Sequence, residues 1–208
     1  MIDEGKIRQI YNGFDVAEFD KQDFSPLYTP ENGEIVIGNA ARLTAQKGQK
    51  HLIECAKILK GKGLNFQILI AGKGEMEQEL KDYASELDVS DKVSFLGFIK
   101  DMKSFHASQD IFCLPSLWEG FGYALVEAMT LEKPVVGFNI SSNPEVVADG
   151  ETGILVPAED TKKLAAALEK LILDVDLRKK MGATGRQRVL ENFNTPLVLR
   201  KLIEVVEE

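Results

Sequence analysis

The sequence has little of the residues that build metal centres and disulfide frameworks. Two cysteines (Cys55, Cys113) and two histidines (His51, His106) stand among 208 residues, and no metal-ligand cluster is visible in them. Both cysteines lie in apolar patterns and read as buried free thiols, which suits a reducing cytoplasm. No apolar run approaches the length of a membrane span. The opening Met1-Ile2-Asp3-Glu4-Gly5-Lys6 carries no apolar signal segment, so nothing in it directs export. Positive charge is short as well: 25 Lys and Arg against 33 Asp and Glu leave a net charge of −8. That balance argues against nucleic acid as a partner and leaves room for an anionic small ligand in a local basic pocket. Internal repeats and low-complexity segments are missing. What is present is a 44% hydrophobic fraction, enough for a real core in a chain of this length.

Apolar runs of strand length alternate with helical periodicity along the chain. Strands are expected at 34–40, 66–71, 93–96, 111–114, 134–138 and 154–156. Leu52, Ile53, Ala56 and Leu59 recur at helical spacing after the first; Met76, Leu80, Tyr83, Ala84 and Leu87 do so after the second. Asp101 is placed to cap a short helix to Ala107, and Asn143-Pro144-Glu145 reads as an N-cap with proline at the first helical position. Asp160 caps a helix carrying Leu164, Ala167, Leu168 and Leu171; a polar helix (176–191) and an amphipathic one (196–208) follow. Residues 6–12 read as extended, Asn12-Gly13 as a turn, and 20–33 as a loop with Pro26 and Pro30. Six alternations predict an α/β fold, a doubly wound Rossmann-like parallel sheet of about six strands with helices on both faces.

One stretch concentrates the chemistry. The apolar run Ile111–Leu114 leads into Pro115-Ser116-Leu117-Trp118-Glu119-Gly120-Phe121-Gly122-Tyr123, and a helix begins near Tyr123. That helix is apolar almost all round, so it is expected to be buried. Glu127 in its middle is then a buried carboxylate that needs a partner or a ligand. Glu119 precedes the helix, over the carboxyl end of a strand, where open α/β sheets bind ligands. The N–H groups from Gly120 to Tyr123 are free to take an anion or an oxygen-rich ligand. For either carboxylate alone, a first-turn acid or a partner of a nearby Arg or Lys is the plainer reading. A second strand-to-helix loop, Ala41-Arg42-Leu43-Thr44-Ala45-Gln46-Lys47-Gly48, places two cations beside a helix start, a fitting site for a diphosphate; the alternative is a solvated loop. Gly72-Lys73-Gly74 resembles half of a dinucleotide fingerprint, but Glu77 stands where the third glycine belongs, which disfavours a nicotinamide dehydrogenase.

The run P-S-x-x-E-G-F-G-x-x-x-x-E-A at 115–128 resembles the signature of the group-one (family four) retaining nucleotide-sugar glycosyltransferases of GT-B architecture. R-L-x-x-x-K-G at 42–48 and P-E-x-V-x-D-G-x-x-G-x-L-V at 144–156 resemble the same family, as does Ile10–Asp15 its crossover between domains. The chain departs from the pattern at Ala41, where the family usually has glycine, and at Ser141-Ser142-Asn143, where it has a glycine pair. The resemblance implies that residues 1–208 form one nucleotide-sugar-binding C-terminal domain, with 1–33 as crossover segment and 194–208 as a terminal helix that returns to the other domain. The N-terminal, acceptor-binding domain of the parent protein is expected to be absent.

By the same resemblance, Arg42 and Lys47 hold the donor pyrophosphate and Glu119 the sugar hydroxyls, the three forming the catalytic set. Glu127 takes the ribose hydroxyls; Gly120, Phe121, Gly122 and Tyr123 line the donor, and Phe98 and Ile99 lie against the base unless they pack in the core. The donor is UDP- or GDP-linked, no cofactor or metal is required, and the chain alone is expected to be inactive. A nucleotide-sugar epimerase, a phosphorylase of the same architecture and a non-catalytic nucleotide-binding module are the alternatives.

Overall fold

A computed structural model describes residues 7–207; the expectations for Met1 to Lys6 and for Glu208 lie outside them. Six parallel strands, β1 (Ile35–Ala40), β2 (Phe66–Ala71), β3 (Val93–Gly97), β4 (Ile111–Leu114), β5 (Val135–Phe138) and β6 (Gly153–Val156), form one sheet in the order β3-β2-β1-β4-β5-β6. β2, β4 and β5 are buried at every position, as strands covered on both faces must be. One cluster (Leu52, Leu59, Ile68, Leu168, Leu171 among others) fills the face under α2 (Gln49–Gly61), α3 (Glu77–Glu86) and α7 (Thr161–Leu173). The other (Phe105, Phe112, Leu125, Met129, Phe193) fills the face under α4 (Met102–Ala107), α5 (Tyr123–Thr130) and α8 (Val175–Asn192). The doubly wound α/β architecture read from the sequence is therefore the one formed.

Several local expectations change. Within the segment read as a loop from Asp20, the first two residues close a short helix, α1 (Val16–Lys21), whose N-cap Asp15 accepts from Glu18 N. Lys103, buried, donates to the carbonyls of Asp20 (2.7 Å) and Gln22 (2.5 Å), and Arg186 binds the Asp20 carboxylate at 2.7 and 3.2 Å. These contacts fasten the opening segment to the helical layer, which a composition rich in polar residues and proline does not advertise. Asn143 is not a cap: Ser142 holds that position before α6 (Asn143–Val146), and the Asn143 amide instead donates to Phe138 O at 2.9 Å. In the last helix, α9 (Thr195–Glu207), Val198 alone is buried; Leu199, Leu202, Ile203 and Val206 are exposed, so the amphipathic face read from the sequence is not packed on this chain's own sheet.

Helix α8 crosses α5 through two small residues. A Cβ on Gly182 would sit 1.9 Å from the Glu132 carbonyl oxygen, whereas one on Gly185 would meet the Met129 side chain at an ordinary 3.4 Å. Gly182→Ala is expected to cost about 1–3 kcal/mol by overpacking. Gly185→Ala is expected to be neutral or to gain up to about 1 kcal/mol from helix propensity. Thermal melts of the two single variants check the contrast: a fall for Gly182→Ala and none for Gly185→Ala.

Candidate functional site

The strand order reverses direction of growth between β1 and β4, and there the loops leaving the two strands part to open a crevice. The β1 loop carries Arg42 and Lys47, with a 3-10 turn at Ala45–Lys47; the β4 loop carries Glu119 to Gly122. Four contacts bind the loops together. Leu117 N donates to Gln46 O at 2.8 Å, and Gln46 Nε2 to Trp118 O at 3.0 Å. Gly48, at φ +65°, lies against Pro115 O, where a Cβ would come to 2.0 Å; both conformation and closeness demand glycine. Finally Lys47 Nζ meets Glu119 Oε1 at 2.7 Å, their side chains 21% and 9% exposed.

The crevice has two halves that share Ala40, Ala41, Arg42 and Ala124. The first, of about 560 Å³, is lined by Lys47, Glu119, Gly120, Phe121, Gly122 and Tyr123, with Asn12 from the opening segment. Space around Gly120 is open, since a Cβ there would meet nothing within 4 Å. The N–H groups of Gly120, Phe121 and Gly122 enter no backbone hydrogen bond among the described residues. Gly122, at φ +77°, is the N-cap of α5, so the positive end of that helix faces the same half. The Arg42 side chain is exposed at the boundary between the halves. This half therefore gathers two cations, free backbone donors and one carboxylate, a set suited to a group that joins phosphate to hydroxyls.

The second half, of about 400 Å³, is lined by Gly72, Lys73, Phe98, Ile99, Met102 and Glu127. The half-fingerprint at Gly72-Lys73-Gly74 does structural work here. Cβ atoms on Gly72 and Gly74 would come to 1.9 and 2.1 Å from the carbonyl oxygens of Ala41 and Leu43, so the glycines let one loop lie on the other. Phe98 stands 70% exposed on the rim, outside the core packing that was its alternative.

Helix α5 is not covered all round as its composition predicts. Tyr123 is 47% exposed and the Glu127 side chain 23%; one turn apart, they share the face that opens on the crevice. Nor, among the described residues, does Glu127 pair with an Arg or Lys. Its Oε2 lies 3.4 Å from Nε2 of the fully buried His106. Burial pushes the His106 imidazole below its ordinary range, against the pull of Glu127.

The crevice thus brings together Arg42, Lys47, Glu119, Gly120, Phe121, Gly122 and Tyr123 in one half, Phe98, Ile99 and Glu127 in the other. Glu145 lies outside both, accepting from Gln9 Nε2 at 2.8 Å. The departures Ser142 and Asn143 sit beneath the Glu119 loop: Ser142 Oγ donates to Glu119 O at 3.3 Å, and buried Asn143 Oδ1 lies 3.7 Å from where a Gly122 Cβ would be. Sequence reasoning missed Asn12 and Met102 as lining residues, while the Gly72-Lys73-Gly74 turn does border the site, as a tight turn after a strand is placed to do. Among the described residues there is no group of His, Cys, Asp and Glu that would hold a metal ion, and no helix is long and apolar enough to cross a membrane.

A family model, glycosyl transferases group 1, matches residues 20–188. The capsular polysaccharide biosynthesis glycosyltransferase CapM of Staphylococcus aureus is 35% identical over 173 residues, spanning 82% of this chain and 45% of its own. Among solved structures, the C-terminal domain of the group 1 glycosyl transferase LpcC of Francisella tularensis superposes with a TM-score of 0.75 at 26% identity, over 88% of this chain and 100% of that one. The Anabaena protein HepE, solved with UDP and glucose, gives 0.81 at 25% identity, over 96% and 56%. This chain spans about half the length of the curated relatives it matches.

The Lys47–Glu119 pair is partly desolvated, so removing one partner strands the other. Lys47→Met is expected to lower stability more than the double variant Lys47→Met/Glu119→Gln, with a coupling of roughly 0.5–3 kcal/mol. A double-mutant cycle of denaturant midpoints checks it; additive effects would show that the ion pair carries no coupling.

Proposed function

The chain belongs to the group 1 glycosyl transferases, and from that premise we propose that it is the donor-binding half of an enzyme that moves a hexose-type unit from a nucleotide-diphosphate sugar to an acceptor. The observation that carries this reading is the two-part crevice in which Lys47 stands beside Glu119 in one half, Glu127 lines the other, and Arg42 borders both. Two cations match a diphosphate; two carboxylates, one in each half, match the hydroxyls of the sugar and of the ribose. HepE, whose crystals hold UDP and glucose, supports a nucleotide-sugar donor.

The reaction breaks the bond between the anomeric carbon and a phosphate oxygen, with the electron pair leaving on the diphosphate. Negative charge grows there, and Arg42 and Lys47 offset it where fixed charges act more strongly than in water. Positive charge grows on the sugar ring, whose hydroxyls Glu119 holds. The acceptor oxygen bonds the anomeric carbon on the face the diphosphate leaves, so configuration is retained, and the acceptor hydroxyl passes its proton to the departing phosphate oxygen. Gly120, Phe121 and Gly122 offer backbone N–H groups to the donor, Tyr123 borders it, and Phe98 and Ile99 flank the base. The scheme asks for no metal and no cofactor, because the cations meet the phosphate charge. A domain of the parent protein supplies the other wall and most of the acceptor contacts, and the reaction takes place in the cytoplasm.

UDP or GDP is expected to raise the melting temperature well above the effect of the bare nucleoside, and Arg42→Ala is expected to remove most of that gap. A hydrogen bond to a charged group contributes roughly 1.5–3 kcal/mol, so the variant should weaken diphosphate binding by about ten- to hundredfold. Equal shifts with nucleoside and diphosphate would contradict the phosphate assignment. The purified chain is expected to transfer no sugar on its own; measurable transfer would show that the second wall is dispensable.

A further inference from the structure

Beneath Glu127 lies a buried polar chain that the reaction scheme does not use. His106, on α4, has no exposed surface and stands edge-on between Phe105 (5.5 Å) and Phe112 (5.2 Å). Its Nε2 is 3.4 Å from Glu127 Oε2, and its Nδ1 is 2.6 Å from the side-chain nitrogen of Gln109. Gln109 is itself 2% exposed. Its Oε1 has no hydrogen-bond partner and rests against the backbone of Gly38, where a Cβ would come to 1.3 Å. Glycine at that point of β1 therefore makes room for the Gln109 amide.

The direction of each bond follows from what each atom offers. The Gln109 side-chain nitrogen is a donor, so His106 Nδ1 accepts and carries no proton. The ring's proton is then on Nε2, which donates to the carboxylate of Glu127. The remaining Gln109 oxygen lies against Gly38, a place too tight for the two hydrogens of an NH₂ group. Burial favours the neutral ring, and nearby Lys133 adds to that preference. A buried imidazole whose second nitrogen is fixed in this way has one tautomer and one orientation.

We propose that His106 is a positioning residue for the ribose end of the crevice: fixed by Gln109 as the Nε2–H tautomer, it holds Oε2 of Glu127 and leaves Oε1 to the ligand. The proposal rests on the reading of Glu127 as the ribose contact. Without this bond, a glutamate on the open face of α5 samples several rotamers, and ordering it on binding costs free energy. The 3.4 Å separation is long for a hydrogen bond, and it shortens when a hydroxyl fixes the other carboxylate oxygen.

The test reads the ratio of dissociation constants for 2′-deoxy-UDP and UDP, with the GDP pair as a parallel arm. The unaltered chain is expected to prefer the ribonucleotide by about tenfold, which is about 1.4 kcal/mol. His106→Phe is expected to bring the ratio close to one while leaving the gap between nucleoside and diphosphate in place. His106→Gln, which keeps a donor near the Nε2 position, is expected to restore most of the ratio. Glu127→Gln separates the two claims. If it keeps the preference, the ribose reading fails and the positioning role fails with it. If it abolishes the preference while His106→Phe keeps it, the ribose reading stands and the positioning role is overturned. Nitrogen-15 NMR of the unaltered chain is independent of how the variants fold: a protonated Nε2 and bare Nδ1 at His106 support the proposal, and a protonated Nδ1 overturns it.

Discussion

The ion pair between Lys47 and Glu119, 2.7 Å long at the mouth of the sheet, is the constraint on which the rest of the crevice depends. It ties together the loops leaving β1 and β4, the two strands where the sheet order turns. Gly48 against Pro115 O, and the two bonds of Gln46 to the 117–118 backbone, set the distance between those loops. Lys47 and Glu119 then face each other without either loop moving. Without a ligand, each charge satisfies the other in a partly dry setting, where an unpaired charge is costly. Under the proposed function, a ligand that is anionic at one end and rich in hydroxyls at the other replaces each partner. The pair thus holds the two loops together, and under the proposed function it opens to a sugar diphosphate.

The same geometry explains the division of the crevice. Loops after β1 and β4 build the half that carries Lys47 and Glu119; loops after β2 and β3, with the open face of α5, build the half that carries Lys73, Phe98, Ile99 and Glu127. Arg42 stands where they meet. Each half has support beneath it. Ser142 and Asn143 lie under the Glu119 loop, and His106 and Gln109 lie under Glu127. The supports are buried and polar, which makes them exacting: their hydrogen bonds hold only when the layers above and below are in register.

Much of this was legible in the sequence because it rests on local chemistry. All six strands were readable from apolar runs bounded by Gly and Pro, and the caps Asp101 and Asp160 from their spacing to the helices that follow. Glu119, Arg42 and Lys47 could be placed at strand ends, where side chains face ligands. Long-range effects were not legible. The helical state of Val16–Lys21 is held by Lys103 and Arg186, about eighty and one hundred and sixty residues away in the chain. Helix α5 is apolar in composition almost all round; the face with Tyr123 and Glu127 is open because no element among the described residues crosses it, which periodicity cannot show. The partner of Glu127 was hidden for the same reason, since a histidine in the last turn of a short helix looks like a terminal cation until the fold carries it to 3.4 Å.

The central claim, that the Lys47–Glu119 pair gives way to a sugar diphosphate, is tested most directly by a crystal structure of the chain with an intact nucleotide-diphosphate sugar. The account predicts Lys47 Nζ and the Arg42 guanidinium within hydrogen-bonding distance of the phosphate oxygens, and Glu119 turned to hydroxyls of the sugar. A ligand seated elsewhere, or one bound in the crevice with the ion pair still closed and the phosphates untouched by either cation, would contradict it.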